Sequence, residues 1–239
     1  MKVAIVGYGK MGKAIEQLAL EAGHEISMII DADNTSDLDK ISPDNTDVAI
    51  EFSQPETAYD NIATLLNKGV KVVAGTTGWL DKYDQVIDLC DKKQGTFLYA
   101  SNFSLGVNLF FKLNEWLANE MNNLEGFKAT MEEIHHLQKK DAPSGTAITT
   151  AERILSRSKN YNSWVNESTD DKGVLPIISL REENVPGTHT VTYSSPLETI
   201  EVKHIAHDRK VFAQGVVKVA EWVAGQQGVL TISEFLNSK

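Results

Sequence analysis

Near its start the chain carries an apolar, β-prone run, Val3-Ala4-Ile5-Val6, which breaks at once into Gly7-Tyr8-Gly9-Lys10-Met11-Gly12. Ala14, Ile15, Leu18 and Ala19 then recur at helical spacing as far as Gly23. A strand, a G-x-G-x-x-G turn and a helix in that order leave few architectures open. They fit the first unit of a parallel sheet that cradles a dinucleotide. Gly7 would make the tight turn, Gly9 would let backbone approach the pyrophosphate, and Gly12 would allow close helix–strand packing. The helix N-terminus would offer N–H donors and partial positive charge to the phosphates. Tyr8, Lys10 and Met11 lie between the glycines and are expected at the same ligand.

The next run, Glu25-Ile26-Ser27-Met28-Ile29-Ile30, ends in Asp31. An acid about 20 residues beyond the glycines can accept hydrogen bonds from the ribose hydroxyls and would repel a 2′-phosphate. Ala32-Asp33-Asn34 follow with no Arg or Lys, so NADH is favoured over NADPH, with Lys10 softening the preference. The pattern then repeats. Val48 to Ser53 reads as a strand, Pro55 to Leu66 as a helix that starts at a proline, and Val70 to Ala74 and Phe97 to Ala100 as further strands. Alternation of this kind implies an α/β fold with a Rossmann-type, doubly wound parallel sheet. Ligands in such sheets lie beyond the carboxyl ends of the strands. Phe52, Gly75, Thr76, Thr77, Ala100, Ser101, Asn102 and Phe103 lie at such ends and are expected near the nicotinamide half of the cofactor.

A second cluster falls in the stretch from Glu133 to Thr146: the pair His135-His136, then Lys139, then Ser144-Gly145-Thr146. Imidazoles carry protons near neutral pH. A Ser-Gly-Thr bend offers hydroxyls and backbone N–H groups. The set suits a small, doubly anionic substrate that is protonated as it reacts. The net charge is −10, which argues against nucleic acid as the main partner and requires positive charge to be concentrated locally, with Lys139 and Lys140 as candidates. No long apolar run or leader pattern is evident, so neither a membrane span nor a removed signal is expected, and a cytoplasmic location is. The single cysteine, Cys90, excludes an intramolecular disulfide and a cysteine-based zinc site, and it reads as a small core residue. Further on, Leu109, Phe110, Leu113, Trp116 and Leu117 form an apolar helical stripe, read as core. Thr188 to Tyr193 and Thr199 to His204 alternate like two strands of a meander. His189, His204 and His207 fall at spacings that suggest no metal site and read as structural or surface residues.

Together these motifs resemble the dihydrodipicolinate reductase family over nearly the whole chain. Glu133-Ile134-His135-His136-x-x-Lys139-x-Asp141-Ala142-Pro143-Ser144-Gly145-Thr146-Ala147 is similar to the family signature. Gly75 to Gly78, Asn102 to Asn108, and His204-x-Ala206-x-x-Arg209-x-x-Phe212-Ala213-x-Gly215 resemble further family blocks. There are departures. The glycine loop is one residue shorter than in many members, Glu51 stands where many have Asp, and Ala32 stands where NADPH users often place Arg. The stretch after Asp31 is short, and Arg181-Glu182-Glu183-Asn184-Val185-Pro186-Gly187 replaces a Gly-rich loop.

The resemblance implies a cofactor domain of residues 1–104 and 214–239, and a substrate-binding and tetramerisation domain of residues 105–213 with an open mixed sheet. It implies a homotetramer and hydride transfer from NAD(P)H to a cyclic dicarboxylate. It casts His135 as proton donor, Lys139 as a second donor that offsets substrate charge, and His136, Ser144, Gly145 and Thr146 as carboxylate ligands. Thr77 would bridge the edges of cofactor and substrate. The alternatives are an amino-acid or semialdehyde dehydrogenase on the same scaffold and a non-enzymatic NAD-binding sensor.

Overall fold

The computed structural model describes residues 1–238. In chain order the elements are β1 (Lys2–Val6), α1 (Lys10–Glu21), β2 (Glu25–Ile30), β3 (Val48–Glu51), α2 (Pro55–Asn67), β4 (Lys71–Ala74), α3 (Tyr83–Lys93) and β5 (Thr96–Tyr99). There follow α4 (Leu105–Met121), β6 (Lys128–His136), α5 (Gly145–Arg157), β7 (Ser163–Val165), β8 (Val174–Glu182), β9 (Gly187–Ser194) and β10 (Thr199–Ala206). The last elements are α6 (Lys210–Ala224), β11 (Gly228–Leu230) and α7 (Ile232–Asn237). They form two compact units. One runs from Met1 to Leu105 and resumes at Lys210; the other is Gly106–Arg209.

The first unit is a six-stranded sheet in the order β11-β5-β4-β3-β1-β2, with every neighbouring pair parallel. Its central strands are short and almost wholly apolar, as strands covered on both faces must be. Val3, Ile5, Val48, Ile50, Val73 and Leu98 face one core, which Ile15 and Ala19 of α1 and Val216, Val219, Ala220 and Val223 of α6 complete. Ala4, Val6, Ala49, Val72, Ala74 and Phe97 face the other, with Ile62, Leu65 and Leu66 of α2 and Val86 and Cys90 of α3. Cys90 is fully buried there, and burial pushes its thiol up to about 11.

The second unit is a five-stranded mixed sheet in the order β10-β9-β6-β8-β7. Strand β6 sits at its centre, antiparallel to β9 and parallel to β8. Because strand side chains alternate, Ala129, Met131, Glu133 and His135 share one face of β6. Ala129 and Met131 pack there with Val107, Phe110, Phe111, Leu117, Ala118 and Met121 of α4 and Ala147, Ala151 and Ile154 of α5. The polar end of this apolar row is where the chemistry collects.

Two expectations are corrected. The strand read as Val48 to Ser53 ends at Glu51, because Phe52 and Ser53 turn away to form a loop. The apolar stripe of α4 is not all core: Phe110 and Leu117 are buried, but Leu109, Leu113 and Trp116 are 52%, 52% and 61% exposed. The buried face of the helix is set by Val107, Phe111, Asn114, Ala118 and Met121, on the side nearly opposite the exposed line. No described helix is long and apolar enough to cross a membrane.

Candidate active site

In the first unit the glycine turn is built as its spacing requires. Gly7 has φ of +97°, and a Cβ on it would meet the Phe52 carbonyl oxygen at 2.1 Å. A Cβ on Gly12 would lie 2.2 Å from the Gly7 carbonyl oxygen, whereas Gly9 has open space around it. Helix α1 already begins at Lys10, so Gly12 lies in its first turn. Gly9 caps it without a side chain, and that turn holds no acid. Its leading N–H groups therefore face out with no side-chain acceptor, a cradle suited to a phosphate.

Beside this turn is a cavity of about 350 Å³ lined by Gly9, Lys10, Met11, Phe52, Ser53, Pro55, Gly75, Thr76 and Thr77. It brings together seven of the residues expected to bind cofactor. Phe52 is wedged in place: a Cβ on Gly75 would strike its ring at 2.0 Å. The remaining candidates lie outside the lining. Tyr8 hydrogen-bonds through its hydroxyl to Glu16. The Ala100 and Phe103 side chains are buried in the core, with the Phe103 ring 5.8 Å from that of Phe52. Asn102 accepts from the Ser104 N–H, and Ser101 is exposed. Asp31 is exposed beyond β2, where it caps a short 3-10 helix by accepting from the Ala32 N–H at 2.9 Å.

Glu51, noted in the sequence only as a departure, sits fully buried at the end of β3 next to this cavity. Its Oε1 accepts from the Ser53 N–H at 3.1 Å and from the Ser53 hydroxyl, while Oε2 has no partner. Burial raises its pKa, and the Ser53 and Thr76 hydrogen bonds only partly counter this. A carboxyl that the folded state prefers protonated loses stability as pH rises above the unfolded value of about 4.3, until the folded pKa is passed. Glu51→Gln has no proton to lose. Its melting temperature is therefore expected to gain on the native protein by a few degrees across that window and then level off. Calorimetry at stepped pH checks this, and a constant difference would rule out the raised pKa.

In the second unit, strand register assembles the site. Glu133 on β6 pairs with His189 on β9, and His135 with Arg181 on β8. Glu133 is fully buried. His135 Nδ1 lies 3.2 Å from its Oε2, at ion-pair distance though off the line of a hydrogen bond. The Ser144 N–H lies 3.1 Å from each carboxylate oxygen, and Arg181 Nη1 and Nη2 reach Oε1 at 3.3 Å. Burial alone would raise the pKa of Glu133. The His135 ring and the Ser144 and Ser179 hydrogen bonds outweigh it and hold the carboxyl far below the usual range.

Of the two places the sequence left open for His189, structural or surface, the first holds: it is buried inside the cluster. Its Nε2 lies 3.1 Å from Ser144 Oγ and 3.8 Å from Glu133 Oε2, and its ring meets that of His135 edge-on at 5.0 Å. Burial, aided by the neighbouring His135, pushes its pKa down to about 3, so it is neutral at pH 7. Of the other two histidines in that group, His204 is half-buried 6.2 Å from the Phe110 ring, and His207 is exposed.

Around this core stand the other expected residues. Ser144 caps α5, accepting from the Ala147 N–H at 3.2 Å, so Gly145 and Thr146 form the helix's N-terminal turn. Lys139 Nζ pairs with both oxygens of Asp141 at 2.9 Å. Arg181 donates to the carbonyls of Asp141 at 2.6 Å and Lys139 at 3.4 Å, which ties that loop to the sheet. Arg209 Nη2 lies 2.6 Å from His136 Nε2, so the imidazole accepts from the guanidinium. Burial and that cation lower the pKa of His136. The structure thus groups His135, His136, Lys139, Ser144, Gly145 and Thr146 in one unit, and adds Glu133, His189, Arg181 and Arg209, to which the sequence reading assigned no role.

A doubly wound parallel sheet with an open glycine turn in one unit, and a buried acid–histidine cluster in the other, are the parts of a nicotinamide-dinucleotide-dependent oxidoreductase. Family models sharpen this. That for the dihydrodipicolinate reductase N-terminus matches residues 1–103, and that for the C-terminus matches residues 106–236. The chain belongs to the dihydrodipicolinate reductase family. It is 46% identical over 239 residues to the 4-hydroxy-tetrahydrodipicolinate reductase of Christiangramia forsetii, covering 99% of this chain and 98% of the relative. It is 33% identical over 261 residues to that of Archaeoglobus fulgidus, covering 99% and 100%. Among solved structures, a dipicolinate-bound dihydrodipicolinate reductase from Paenisporosarcina shares the fold, with a TM-score of 0.80, 23% identity and 97% coverage of both chains.

Proposed function

We propose that this protein reduces the cyclic unsaturated dicarboxylate derived from 4-hydroxy-tetrahydrodipicolinate to 2,3,4,5-tetrahydrodipicolinate, in diaminopimelate and lysine biosynthesis. The observation that carries the reading is the acid–histidine cluster directly under the N-terminus of α5, a proton source beside an anion cradle. The names of the two relatives point the same way.

The bound reduced nicotinamide supplies the hydride. Lys10, Met11, Phe52, Gly75, Thr76 and Thr77 line the cavity that would hold the cofactor near that end, and the open turn at Gly9 would take its phosphates. NADH is the favoured form, because Asp31 is an acid with Ala32 rather than Arg behind it. The chain's own task is the proton. Hydride addition to a C=C–C=N unit leaves negative charge on carbon and nitrogen, and His135, ion-paired to Glu133, is the donor that meets it. The backbone and hydroxyls of Ser144, Gly145 and Thr146 hold one carboxylate at the start of α5. His136 and Arg209 hold the other. Lys139 offsets the second charge once its ammonium turns from Asp141.

Thr146→Val removes a hydroxyl from the clamp and keeps its shape. It is expected to raise KM for the dicarboxylate by about 10- to 100-fold while changing kcat little, since a hydrogen bond to a charged group contributes about 1.5–3 kcal/mol. Steady-state kinetics checks it, and an unchanged KM takes Thr146 out of the clamp.

Four chains are expected to assemble through the second unit in a cytoplasmic enzyme. The exposed line Leu109, Leu113 and Trp116, and the exposed Leu180 and Ile205, support burial against further copies. Sedimentation equilibrium would give four chain masses; a monomer removes the assembly. The reaction itself is tested by following nicotinamide absorbance with NADH and NADPH, while the preceding synthase makes substrate from pyruvate and aspartate semialdehyde. Substrate-dependent oxidation supports the reading. A folded protein that binds NADH and turns nothing over refutes it.

A further inference from the structure

We infer that Glu133, His135 and His189 form a binding site for one borderline-soft divalent cation, Zn²⁺ above all, and that an ion held there blocks the reductase. The inhibitory part rests on the reading of His135 as proton donor; the binding part does not.

The three side chains come from neighbouring positions on β6 and β9, and their ligand atoms all lie within 4.8 Å of one another. Zinc binds imidazole nitrogen and carboxylate oxygen at about 2.0–2.2 Å, so tetrahedral ligand atoms stand about 3.4 Å apart. Glu133 Oε2 is 3.2 Å from His135 Nδ1 and 3.8 Å from His189 Nε2, which brackets that spacing. Small side-chain rotations would close the set around an ion.

The donor types select the metal. Two imidazoles and one carboxylate suit Zn²⁺, Ni²⁺ or Cu²⁺, whereas Mg²⁺ and Ca²⁺ prefer all-oxygen sites. The outer contacts also fit. The Ser144 N–H lies 3.1 Å from both Glu133 oxygens and fixes the carboxylate, while Arg181 engages Oε1 and leaves Oε2 to the ion. His135 Nδ1 is buried without a hydrogen-bond partner, and its residue is only 7% exposed, so the ion would sit out of bulk water with one open position. The Arg181 guanidinium, 3.3 Å from Glu133, and Lys139 oppose a second cation and hold the affinity below that of a structural zinc site.

The chemical consequence is direct. An imidazole bound to Zn²⁺ through Nδ1 no longer exists as an imidazolium. It keeps its remaining N–H and does not release that proton to substrate. Zinc therefore lowers kcat, and a chelator restores it.

Co²⁺ titrated into the full chain, freed of metal with EDTA, is the test. One equivalent is expected to give the visible d–d absorption of a four-coordinate site, and Zn²⁺ is expected to displace it where Mg²⁺ does not. His189→Gln should lose about tenfold or more in affinity, while His207→Gln, at an exposed residue outside the cluster, keeps it. In the native protein Zn²⁺ should also slow carbethoxylation of His135, a readout that needs no variant. Absence of the Co²⁺ spectrum, or equal affinity in a folded His189→Gln protein, overturns the site. Turnover in EDTA is measured separately. Its absence would refute the proposed function and leave the binding result standing.

Discussion

His135→Gln is expected to lower kcat by about 10²–10⁴-fold while KM for the dicarboxylate stays within about threefold. Gln occupies similar space and can still hydrogen-bond, but it holds no transferable proton near neutral pH. The fall would therefore measure proton donation and not the loss of a filled volume. The geometry around this residue supports the choice. His135 is the only histidine that meets two conditions among the described residues: it shares a strand face with Glu133 and lies 3.2 Å from that buried carboxylate. His189 cannot replace it, because burial holds that imidazole neutral. Steady-state kinetics with both reduced cofactors decides the matter, and a variant with near-normal kcat would take His135 out of the chemistry.

The second large effect is expected at the other unit. Gly7→Ala should weaken NADH binding on the order of 100-fold and lower the melting temperature by about 5–10 °C. A methyl group at this position meets the Phe52 carbonyl oxygen at 2.1 Å, and the backbone φ of +97° is one that only glycine adopts cheaply. Neither obstacle is the flexible end of a side chain. The turn or the β3–α2 loop must shift, and both border the cavity that includes Phe52 and Gly9. Fluorescence titration of NADH and a thermal melt read the two consequences independently. Near-native affinity would mean that the turn tolerates the change and does not set the phosphate cradle.

What the sequence made legible follows from the range of the forces involved. The glycine turn and the strands about it are local: glycine torsions and β-branched runs act within a few residues. Those elements were predicted to within a residue or two. The place of His189 in the cluster was not legible, because its partnership with Glu133 depends on how β9 registers against β6 across more than 50 residues, and no local pattern states a register. Arg181 meets Glu133 for the same reason. Glu51 sits in an apolar strand, where a lone acid gives no sign of being buried. On α4 the helical period was right but its phase was not. Leu109, Leu113 and Trp116 repeat as regularly as the true core line through Val107, Phe111, Asn114 and Ala118, and only packing tells the two apart.

The division of the first unit between two stretches of chain also orders events on the ribosome. Strand β11 pairs with β5, and α6 supplies Val216, Val219, Ala220 and Val223 to the core that Ile15 and Ala19 of α1 share. These residues are translated after all of Gly106–Arg209 has been made. The nascent sheet therefore has that apolar face covered by α1 alone until α6 has been made. That face stays partly open for as long as Gly106–Arg209 takes to be translated, and transiently open apolar surface is the kind most prone to aggregate.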